Sequence, residues 1–425
     1  MLNTPKGLRM HIGLFGRRNV GKSSVLNAIT NQETSIVSNV AGTTTDPIDK
    51  AMELLPLGPV LFVDTAGVDD DQEAIGKLRT RKTAQVLDRC DMALVVTEAG
   101  TWSSYETELC EQLKSRGITV LLIFNKMDAF EGKTLEECLQ EVPNEYRTLP
   151  AVGMCAIQSN GAKSGVFALR EAIIEHAPDE FIEDLAIVGD IVEPGSTVML
   201  VVPIDKEAPK GRLILPQVQV IRDLLDSGSH AYVVQVEELA SALANLKNPP
   251  ALVITDSQAF AEVSKIVPED TPLTGFSVLF SRFKGDLVTQ VQGIKTLSHL
   301  TETSKVLIAE ACTHHPIEED IGTVKIPALL RKSIGKNLSI DNVRGVTFPE
   351  NLAEYDLVIH CGGCMFNRRR MLSRIHACVA AGVPVTNYGL VLAYYNGVFE
   401  RSIQVFQSSL NGLAQNAEMS LRDRL

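Results

Sequence analysis

The sequence predicts an α/β protein in which a P-loop domain is followed by two further α/β domains with largely parallel sheets. The chain has 425 residues, too long for one hydrophobic core at about 150 residues per domain. Near its start an apolar run passes directly into a glycine-rich loop. Beyond an acidic stretch between Pro178 and Pro194, short apolar runs alternate with helix-like segments, as in parallel sheets. We expect domains at residues 1–178, 179–268 and 269–425.

Composition and charge exclude several classes of protein. The longest apolar runs are far shorter than the roughly 18 residues of a membrane-spanning helix, and Met1 to Met10 lacks the apolar core of a signal peptide. We therefore expect a cytoplasmic protein with no membrane partner, in a reducing compartment where cysteines seldom form disulfides. The formal charge of −12 argues against a nucleic-acid partner, because nucleic-acid-binding domains are basic.

The first chemical motif is a phosphate-binding loop that follows the apolar run from Met10 to Phe15. Strand, glycine-rich turn and helix are in register, and the loop consists of Gly16, Arg17, Arg18, Asn19, Val20, Gly21, Lys22, Ser23 and Ser24. In such a loop the backbone N–H groups and the helix N-terminus bind phosphates. We expect Lys22 to contact the β- and γ-phosphate oxygens and Ser23 to coordinate Mg²⁺.

Two motifs that contact the γ-phosphate follow in the expected order. Thr44 lies in a Gly-Thr-Thr-Thr-Asp sequence and is expected to coordinate Mg²⁺ and to contact the γ-phosphate. A predicted strand at residues 60–63 ends in an Asp-Thr-Ala-Gly sequence. We expect Asp64 to hold Mg²⁺ through its water shell and the Gly67 N–H to contact the γ-phosphate. The predicted catalytic residues are Lys22, Thr44 and Gly67.

Two later loops are expected to bind the base of the nucleotide. A predicted strand at residues 120–124 is followed by Asn125, Lys126 and Asp128. The Asp128 carboxylate can accept hydrogen bonds from guanine N1 and N2, which adenine does not offer, so the motif favours GTP over ATP. Cys155 and Ala156 occupy the position of the last base-contacting loop, where serine is more usual than cysteine.

With these motifs, roughly the first 175 residues resemble the Era/TrmE-like group of small GTPases. The resemblance implies that Asn19 binds a K⁺ ion that does the electrostatic work of an arginine finger, so we expect K⁺-stimulated hydrolysis of GTP. Val68 stands where Ras-like proteins have a water-orienting glutamine, which predicts slow intrinsic hydrolysis. The group often has arginine where this chain has Thr45, a difference that affects no expected ligand.

The middle of the chain has α/β character but no motif that carries chemistry. Predicted strands begin at Thr197, Ala231 and Ala251, with helices between them. Modules of this kind often form interfaces, and by analogy we expect dimerisation through this one. Next, the pattern predicts a strand from Thr271 to Ser281 and a helix from Val288 to His299.

Two cysteine groups occur in the last predicted domain. Cys312 and His314 follow a predicted strand at residues 306–309, and the sequence His-Cys-Gly-Gly-Cys, residues 360–364, follows another at 356–359. Both groups are expected at the carboxyl edge of a sheet, where open α/β proteins bind ligands. The two glycines between Cys361 and Cys364 leave space for backbone N–H groups to approach a ligand on the sulfurs.

Three kinds of site fit these residues. Structural zinc would use Cys312, His314, Cys361 and Cys364. A redox dithiol would need only Cys361 and Cys364. An iron–sulfur cluster held by the three cysteines would leave one iron for a histidine or an exchangeable ligand, and the pattern does not rank His314 against His360.

Other charged and sulfur-containing residues have simpler interpretations. Arg368, Arg369, Arg370 and Arg374 follow Cys364 in a predicted helix and form either an anion-binding group or a solvated helix face. The isolated cysteines are expected to be small buried hydrophobes; they are Cys90, Cys110, Cys138 and Cys378.

The combination of GTPase motifs and cysteine groups resembles the HydF family of [FeFe]-hydrogenase maturation GTPases over essentially the whole chain. The resemblance implies a middle dimerisation domain, giving a homodimer, and a last domain that binds a [4Fe-4S] cluster through Cys312, Cys361 and Cys364. It also implies a scaffold role, in which a transient di-iron precursor is assembled with two radical-SAM maturases and passed to apo-[FeFe]-hydrogenase.

Two alternatives belong to other classes. A zinc-stabilised regulatory Era-like GTPase could act on RNA or ribosomes, although the acidic charge argues against it. A GTP-gated redox switch would use Cys361 and Cys364 and bind no metal.

Overall fold

The structure, a computed structural model, describes residues 4–30, 48–65, 84–129, 134–156, 165–182, 186–204, 213–311 and 320–407. Thr44, Gly67, Cys312 and His314 lie outside the described residues. The chain divides into two compact units, residues 1–184 and 185–425. In the ranges just given, no helix has the length and apolar character needed to cross a membrane.

The first unit is built on a six-stranded sheet with the strand order β2-β3-β1-β4-β5-β6. All neighbouring strands are parallel except β2, which is antiparallel to β3 at one edge. The strands are β1 Met10–Phe15, β2 Ile48–Leu54, β3 Gly58–Asp64, β4 Met92–Glu98, β5 Thr119–Asn125 and β6 Ala151–Gly153. The helices are α1 Lys22–Thr30, α2 Ser104–Ser115, α3 Leu135–Gln140, α4 Val166–Glu175 and α5 Asp179–Ile182.

The central strands of this sheet are apolar on both faces because helices cover both. Every residue of β1 is buried, and alternate residues of β1 belong to two different hydrophobic clusters, with Ile12 in one and Phe15 in the other. Continuous apolar runs are the pattern expected of parallel strands with two covered faces. Because β1, β3 and β5 are parallel, their carboxyl ends reach the same edge of the sheet. The predicted nucleotide motifs begin at this edge.

The second unit contains two four-stranded, entirely parallel sheets, with the strand orders β10-β9-β7-β8 and β12-β11-β13-β14. The strands are β7 Thr197–Val201, β8 His230–Val234, β9 Leu252–Thr255, β10 Leu273–Gly275, β11 Lys305–Glu310, β12 Ser339–Arg344, β13 Leu357–His360 and β14 Val385–Asn387. The helices are α6 Leu215–Asp226, α7 Leu239–Asn245, α8 Phe260–Ile266, α9 Phe276–Lys284, α10 Leu287–Ile294, α11 Ile326–Ser333, α12 Arg368–Ala380, α13 Tyr388–Tyr395 and α14 Phe399–Ile403.

These three sheets confirm the predicted α/β class with largely parallel strands. The predicted division into three domains stays a prediction, because one hydrophobic cluster extends from the sheet with β7 to the sheet with β11. Val198 and Val306 both belong to this cluster.

The predicted strand from Thr271 to Ser281 is wrong beyond its first half. Only Leu273–Gly275 form a strand, and Phe276 begins the helix α9. A short apolar run does not distinguish a buried strand from a buried helix by its periodicity. The helix is favoured because the run packs against α12 and α13, which bury Val278, Leu279 and Phe280. The polar edge strand β12 was not predicted at all, since its side chains are half-buried or exposed.

Candidate functional site

The phosphate loop has the backbone that its glycines predict. Gly16 and Gly21 have φ values of +146° and +95°, in the region that L side chains rarely adopt. A Cβ at Gly16 would lie 2.1 Å from the Val96 carbonyl oxygen, and one at Gly21 would lie 2.2 Å from Asn125 Nδ2. Asn19, the predicted K⁺ ligand, is an exposed residue with a φ of +64°. The loop is therefore closed tightly between β1, β4 and β5.

Lys22, Ser23 and Asp64 come together at the start of α1. The Lys22 ammonium donates to the carbonyls of Gly16 and Arg17, each at 2.8 Å, so the side chain is folded over the loop. Ser23 Oγ donates to Asp64 Oδ2 at 2.6 Å. The sequence placed Lys22 and Ser23 on the helix, and the fold brings Asp64 to them from the end of β3.

The carboxylate of Asp64 is suited to hold a cation. It is 5% exposed, and burial raises its pKa against the opposing effects of Ser23, Lys22 and Lys50. Its Oδ1 atom is buried and accepts no hydrogen bond from the residues that the structure describes. A buried, unpaired carboxylate oxygen is costly unless a positive group contacts it. Ser23 and Asp64 therefore fit Mg²⁺, with Thr44 as the predicted further ligand outside the described residues.

Asn125 connects the phosphate loop to the last base-contacting loop. Its Nδ2 atom donates to the Val20 carbonyl at 2.9 Å, and its Oδ1 atom accepts from the Ala156 N–H at 3.1 Å. Cys155 beside it is buried, whereas Asp128 is exposed at the rim of the site. The side chain of Asn125 thus holds two loops in place, and Asp128, the predicted base contact, is exposed.

Sequence patterns missed two charged contacts around the nucleotide site. Arg17 donates through Nε to Glu106 Oε1 at 2.7 Å, and the Glu106 side chain is fully buried. The other Glu106 oxygen accepts from the Ser103 N–H at 2.9 Å, where α2 begins. In addition, the buried ammonium of Lys50 donates to Asn27 Oδ1 at 2.6 Å and opposes the charge of Asp64. No motif links Arg17 to residues in α2.

The described part of the cysteine site lies at the carboxyl edge of the last sheet, as predicted. β13 ends at His360, and Cys361 follows with its N–H bonded to the Ala309 carbonyl at 2.9 Å. The Ala311 N–H donates to Cys361 Sγ at 3.1 Å. Cys361 and Cys364 are both half-buried, in contrast to the five fully buried cysteines of the described residues. Both thiols are therefore reachable from outside the sheet.

The two glycines between these cysteines have different roles. Gly363 has a φ of +61°, and a Cβ there would lie 2.2 Å from Met371 Cε. Gly362 has nothing within 4 Å of an added Cβ, so the backbone on that side is open. Gly363 is required by the turn, whereas Gly362 leaves room for a group bound to the sulfurs.

His360 is held on both sides of its ring. Nδ1 lies 2.8 Å from the Cys361 carbonyl oxygen and Nε2 lies 2.9 Å from Arg374 Nη1. Because the ring is buried beside a guanidinium, its pKa is lowered to about 3. A neutral ring that donates through Nδ1 and accepts at Nε2 satisfies both contacts. In this arrangement neither nitrogen offers a lone pair to a metal.

Two of the four arginines after Cys364, Arg370 and Arg374, are buried and do not form a solvated helix face. Arg374 donates to the carbonyls of Gly345 and Thr347, and Arg370 donates to that of Val346. Both guanidinium groups also lie within 5 Å of the Phe366 ring centroid. Their side chains thus hold the loop after β12 against α12, and an anion-binding role of the arginines stays a prediction.

Two further polar groups surround Cys361, and the sequence did not identify them. Lys284, at the end of α9, is 1% exposed and donates to the carbonyls of Cys364 at 3.2 Å and Phe366 at 2.8 Å. Tyr388 donates to Glu310 Oε1 at 3.3 Å, and burial, with the nearby thiol of Cys361, raises the pKa of its phenol. Lys284, Tyr388 and Glu310 come from three different elements, α9, α13 and β11.

Among the residues that the structure describes, no three His, Cys, Asp or Glu side chains are grouped so as to hold a metal ion. The predicted additional ligands, Cys312 and His314, lie outside those residues. The donor chemistry nevertheless fits a thiolate-bound metal group, because Cys361 and Cys364 share one open loop beside the buried ammonium of Lys284.

Three family models match the chain. Residues 11–126 match the 50S ribosome-binding GTPase model, residues 187–285 the hydrogen maturase F dimerization domain, and residues 288–405 the hydrogen maturase F tetramerization domain.

Among curated proteins, GTPase Der of Sulfurimonas denitrificans is 36% identical over 141 residues, which cover 32% of this chain and 28% of Der. The tRNA modification GTPase MnmE of Trichormus variabilis is 31% identical over 167 residues, which cover 39% of this chain and 34% of MnmE. The matched regions thus span about a third or less of these relatives. A crystal structure of Aquifex aeolicus Era bound to GDP·AlF4⁻ aligns with 18% identity and a TM-score of 0.35, over 53% of this chain and 91% of Era.

The two hydrogen maturase F models together span nearly all of the second unit, and the GTPase model spans most of the sheet of the first. The chain belongs to the hydrogen maturase F (HydF) family and carries an Era/TrmE-like GTPase domain.

Proposed function

We propose that the chain is a GTPase and iron–sulfur scaffold that receives a di-iron precursor and delivers it to apo-[FeFe]-hydrogenase. The observation that carries the proposal is the open loop of Cys361 and Cys364, at the carboxyl edge of a sheet in a chain of the HydF family. A GTPase unit in the same chain supports the use of nucleotide state to regulate binding of the radical-SAM maturases and the hydrogenase.

Hydrolysis of GTP is proposed to use the residues at the start of α1. Lys22 leaves the carbonyls of Gly16 and Arg17 and contacts the β- and γ-phosphate oxygens, while Ser23 and Thr44 hold Mg²⁺, which neutralises phosphate charge when bound. Asp64 would contact the bound Mg²⁺ through water, and the Gly67 N–H would donate to the γ-phosphate. A water molecule attacks the γ-phosphorus, and the products are GDP and phosphate.

The proposed K⁺ site uses Asn19. Its position on the phosphate loop and its exposure support a contact with a cation next to bound phosphates. We expect GTP turnover in KCl to exceed turnover in NaCl at equal ionic strength, and Asn19→Ala to remove the difference. Equal rates of the wild type in the two salts would disprove the K⁺ requirement and leave the GTPase proposal intact.

The proposed cluster ligands are Cys361 and Cys364 together with Cys312. The test is iron, zinc and sulfide analysis with an EPR spectrum of the reduced protein, after purification or reconstitution without oxygen. About four irons and four sulfides per chain, lost in Cys361→Ala, would support a [4Fe-4S] cluster. One zinc without iron would favour a structural site in a regulatory GTPase, and a reversible disulfide without metal would favour a redox switch.

A homodimer is proposed through the free edge of β8. β8 pairs only with β7 among the described strands, and its residues Tyr232 and Val233 are 39% and 41% exposed. On the neighbouring helix α6, Val218 and Leu225 are also exposed. An apolar edge strand beside an apolar helix face is a surface that another strand can extend. The match of this region to a dimerization domain favours a second copy of the chain as the occupant.

The coupling between nucleotide and partners is testable directly. We expect the affinity of the chain for a radical-SAM maturase or for apo-[FeFe]-hydrogenase to differ at least about tenfold between its GDP and GTP-analogue forms. Equal affinities, measured by calorimetry at fixed salt, would exclude regulation by nucleotide.

A further inference from the structure

Lys284 is a buried cation that neither the GTPase motifs nor the cysteine motif includes. It is the last residue of α9 and is 1% exposed. Its ammonium donates to the backbone carbonyls of Phe366 at 2.8 Å and Cys364 at 3.2 Å. Lysine is rarely buried to this degree without a partner of opposite charge. Backbone carbonyls carry no net charge, so these two contacts do not neutralise the positive charge of Lys284.

No carboxylate forms an ion pair with Lys284 in the part of the chain that the structure describes. The loop that Lys284 contacts carries the thiols of Cys361 and Cys364, which favour the charged form of the ammonium. Its direct contact with this cysteine loop is through the backbone carbonyls of Cys364 and Phe366. The two carbonyls occupy two of its three N–H donors, and its nitrogen also lies 5.9 Å from the ring centroid of Phe280.

Hydrogen bonds connect α9 and the cysteine loop in both directions. Arg368, the first residue of α12, donates to the Phe283 carbonyl in the last turn of α9, while Lys284 donates back to the loop before α12. The Phe366 N–H closes the turn on the Gly363 carbonyl at 2.9 Å. The position of the two thiols relative to the sheet therefore depends on the end of α9, about 80 residues earlier in the chain.

We propose that Lys284 is a positioning residue of the cysteine site: it holds the loop of residues 361–366 in the shape that presents both sulfurs, and its fixed positive charge selects an anionic thiolate-bound iron–sulfur group. This inference rests on the proposed cluster function. Thiolates and sulfides give such a group a net negative charge, and the reduced form carries one more negative charge than the oxidised form. A fixed cation nearby stabilises the reduced form more strongly, because reduction potential depends on net charge and on hydrogen bonds to sulfur.

Three variants separate charge from packing. Lys284→Met keeps an unbranched apolar stem and removes the ammonium, and Lys284→Arg keeps a charge and donors. Lys295→Met is the matched control, because it makes the same substitution at an exposed lysine of the same unit. Each protein is reconstituted without oxygen, and iron content and midpoint potential are measured by redox titration with EPR detection. Hydrogen exchange of the amides of residues 361–368 is followed separately in the metal-free proteins.

We expect Lys284→Met to shift the potential to more negative values, with the reduced form at least tenfold less favoured, which is about 59 mV for one electron. Lys284→Arg is expected to shift the midpoint potential much less than Lys284→Met does. Lys295→Met is expected to leave it at the wild-type value. Without metal, Lys284→Met should exchange the loop amides at least about tenfold faster than the control. Loss of iron in Lys284→Met alone would also support the proposal.

Two results would overturn the proposed role of Lys284. An unchanged potential and unchanged loop exchange in Lys284→Met would make Lys284 an ordinary buried residue while leaving the cluster function intact. Loss of iron in both Lys284→Met and Lys284→Arg, with unchanged loop exchange, would also exclude a role through charge and loop shape. A wild-type protein that takes up no iron would instead refute the proposed function itself, whichever result the variants give.

Discussion

Nη1 of Arg374 lies 2.9 Å from Nε2 of His360, in the buried layer beneath Cys361. A guanidinium can only donate, so Nε2 accepts and Nδ1 carries the proton that the Cys361 carbonyl accepts. The histidine that the sequence offered as a metal ligand is thus used to connect α12 to the end of β13. The finding reduces the histidine candidates to His314, which lies outside the described residues.

His360→Gln tests this arrangement, since a glutamine oxygen can accept from Arg374 as Nε2 does. We expect reconstituted His360→Gln to hold as much iron as the wild type, with the same EPR signal, whereas Cys361→Ala loses both. A clear loss of iron or a changed signal in His360→Gln would show that the ring ligates iron after all. Arg374→Ala should lower the free energy of unfolding by about 3 kcal/mol, because it leaves buried carbonyls and His360 without a donor.

The cysteines should divide sharply by reactivity. Burial raises the pKa of Cys110 and of Cys378 to about 12, so both thiols stay protonated at pH 8 and remain so to about pH 10. Cys361 and Cys364 are half-buried and reachable. With metal-free protein and iodoacetamide, mass spectrometry should find Cys361 and Cys364 alkylated at least about 100-fold faster than Cys110 and Cys378. If Cys110 and Cys378 were alkylated as fast as Cys361 and Cys364 in the native protein without denaturant, this result would contradict their burial.

The edge of β8 can be tested by adding one charge. Val233→Lys places an ammonium where a second strand would pair, so we expect the dimer to dissociate with a Kd at least about tenfold higher, measured by light scattering over a concentration series. Glu262→Lys adds the same residue to the exposed surface of α8, away from the edge, and should leave the assembly unchanged. An unaltered dimer in Val233→Lys, with native circular dichroism, would move the interface elsewhere.

The contact between Arg17 and Glu106 should stabilise the first unit. Arg17→Ala removes one partner of a carboxylate that is fully buried, although the arginine itself is partly exposed. We expect the free energy of unfolding to fall by about 1 to 2 kcal/mol, since hydrogen bonds to charged groups contribute in that range. A double-mutant cycle with Glu106→Gln isolates the pair, and a coupling near zero would show that the two side chains contribute independently.

Contiguous motifs determined much of the nucleotide site. The phosphate-loop motif is nine consecutive residues that begin directly after β1 and end in the first turn of α1, and its glycines, Gly16 and Gly21, are the residue type that favours the positive φ values found there. The same holds for the cysteine loop, where Gly363 sits at a positive φ and Cys361 follows directly on a buried strand. Continuous apolar runs also predicted most of the parallel strands, because such runs reflect burial on both faces, but β4, β6 and β12 were not predicted.

Tertiary structure alone decided which side chains complete the two sites. Lys284 reaches Cys364 across 80 residues, Arg17 reaches Glu106 across 89, and Asn125 reaches Val20 across 105. Such pairs depend on which helix packs beside which loop, and periodicity reports only whether a residue is buried, not against what. For the same reason the apolar run after Thr271 gave the wrong element: its hydrophobicity was fixed locally, but its helical form was selected by packing against α12 and α13.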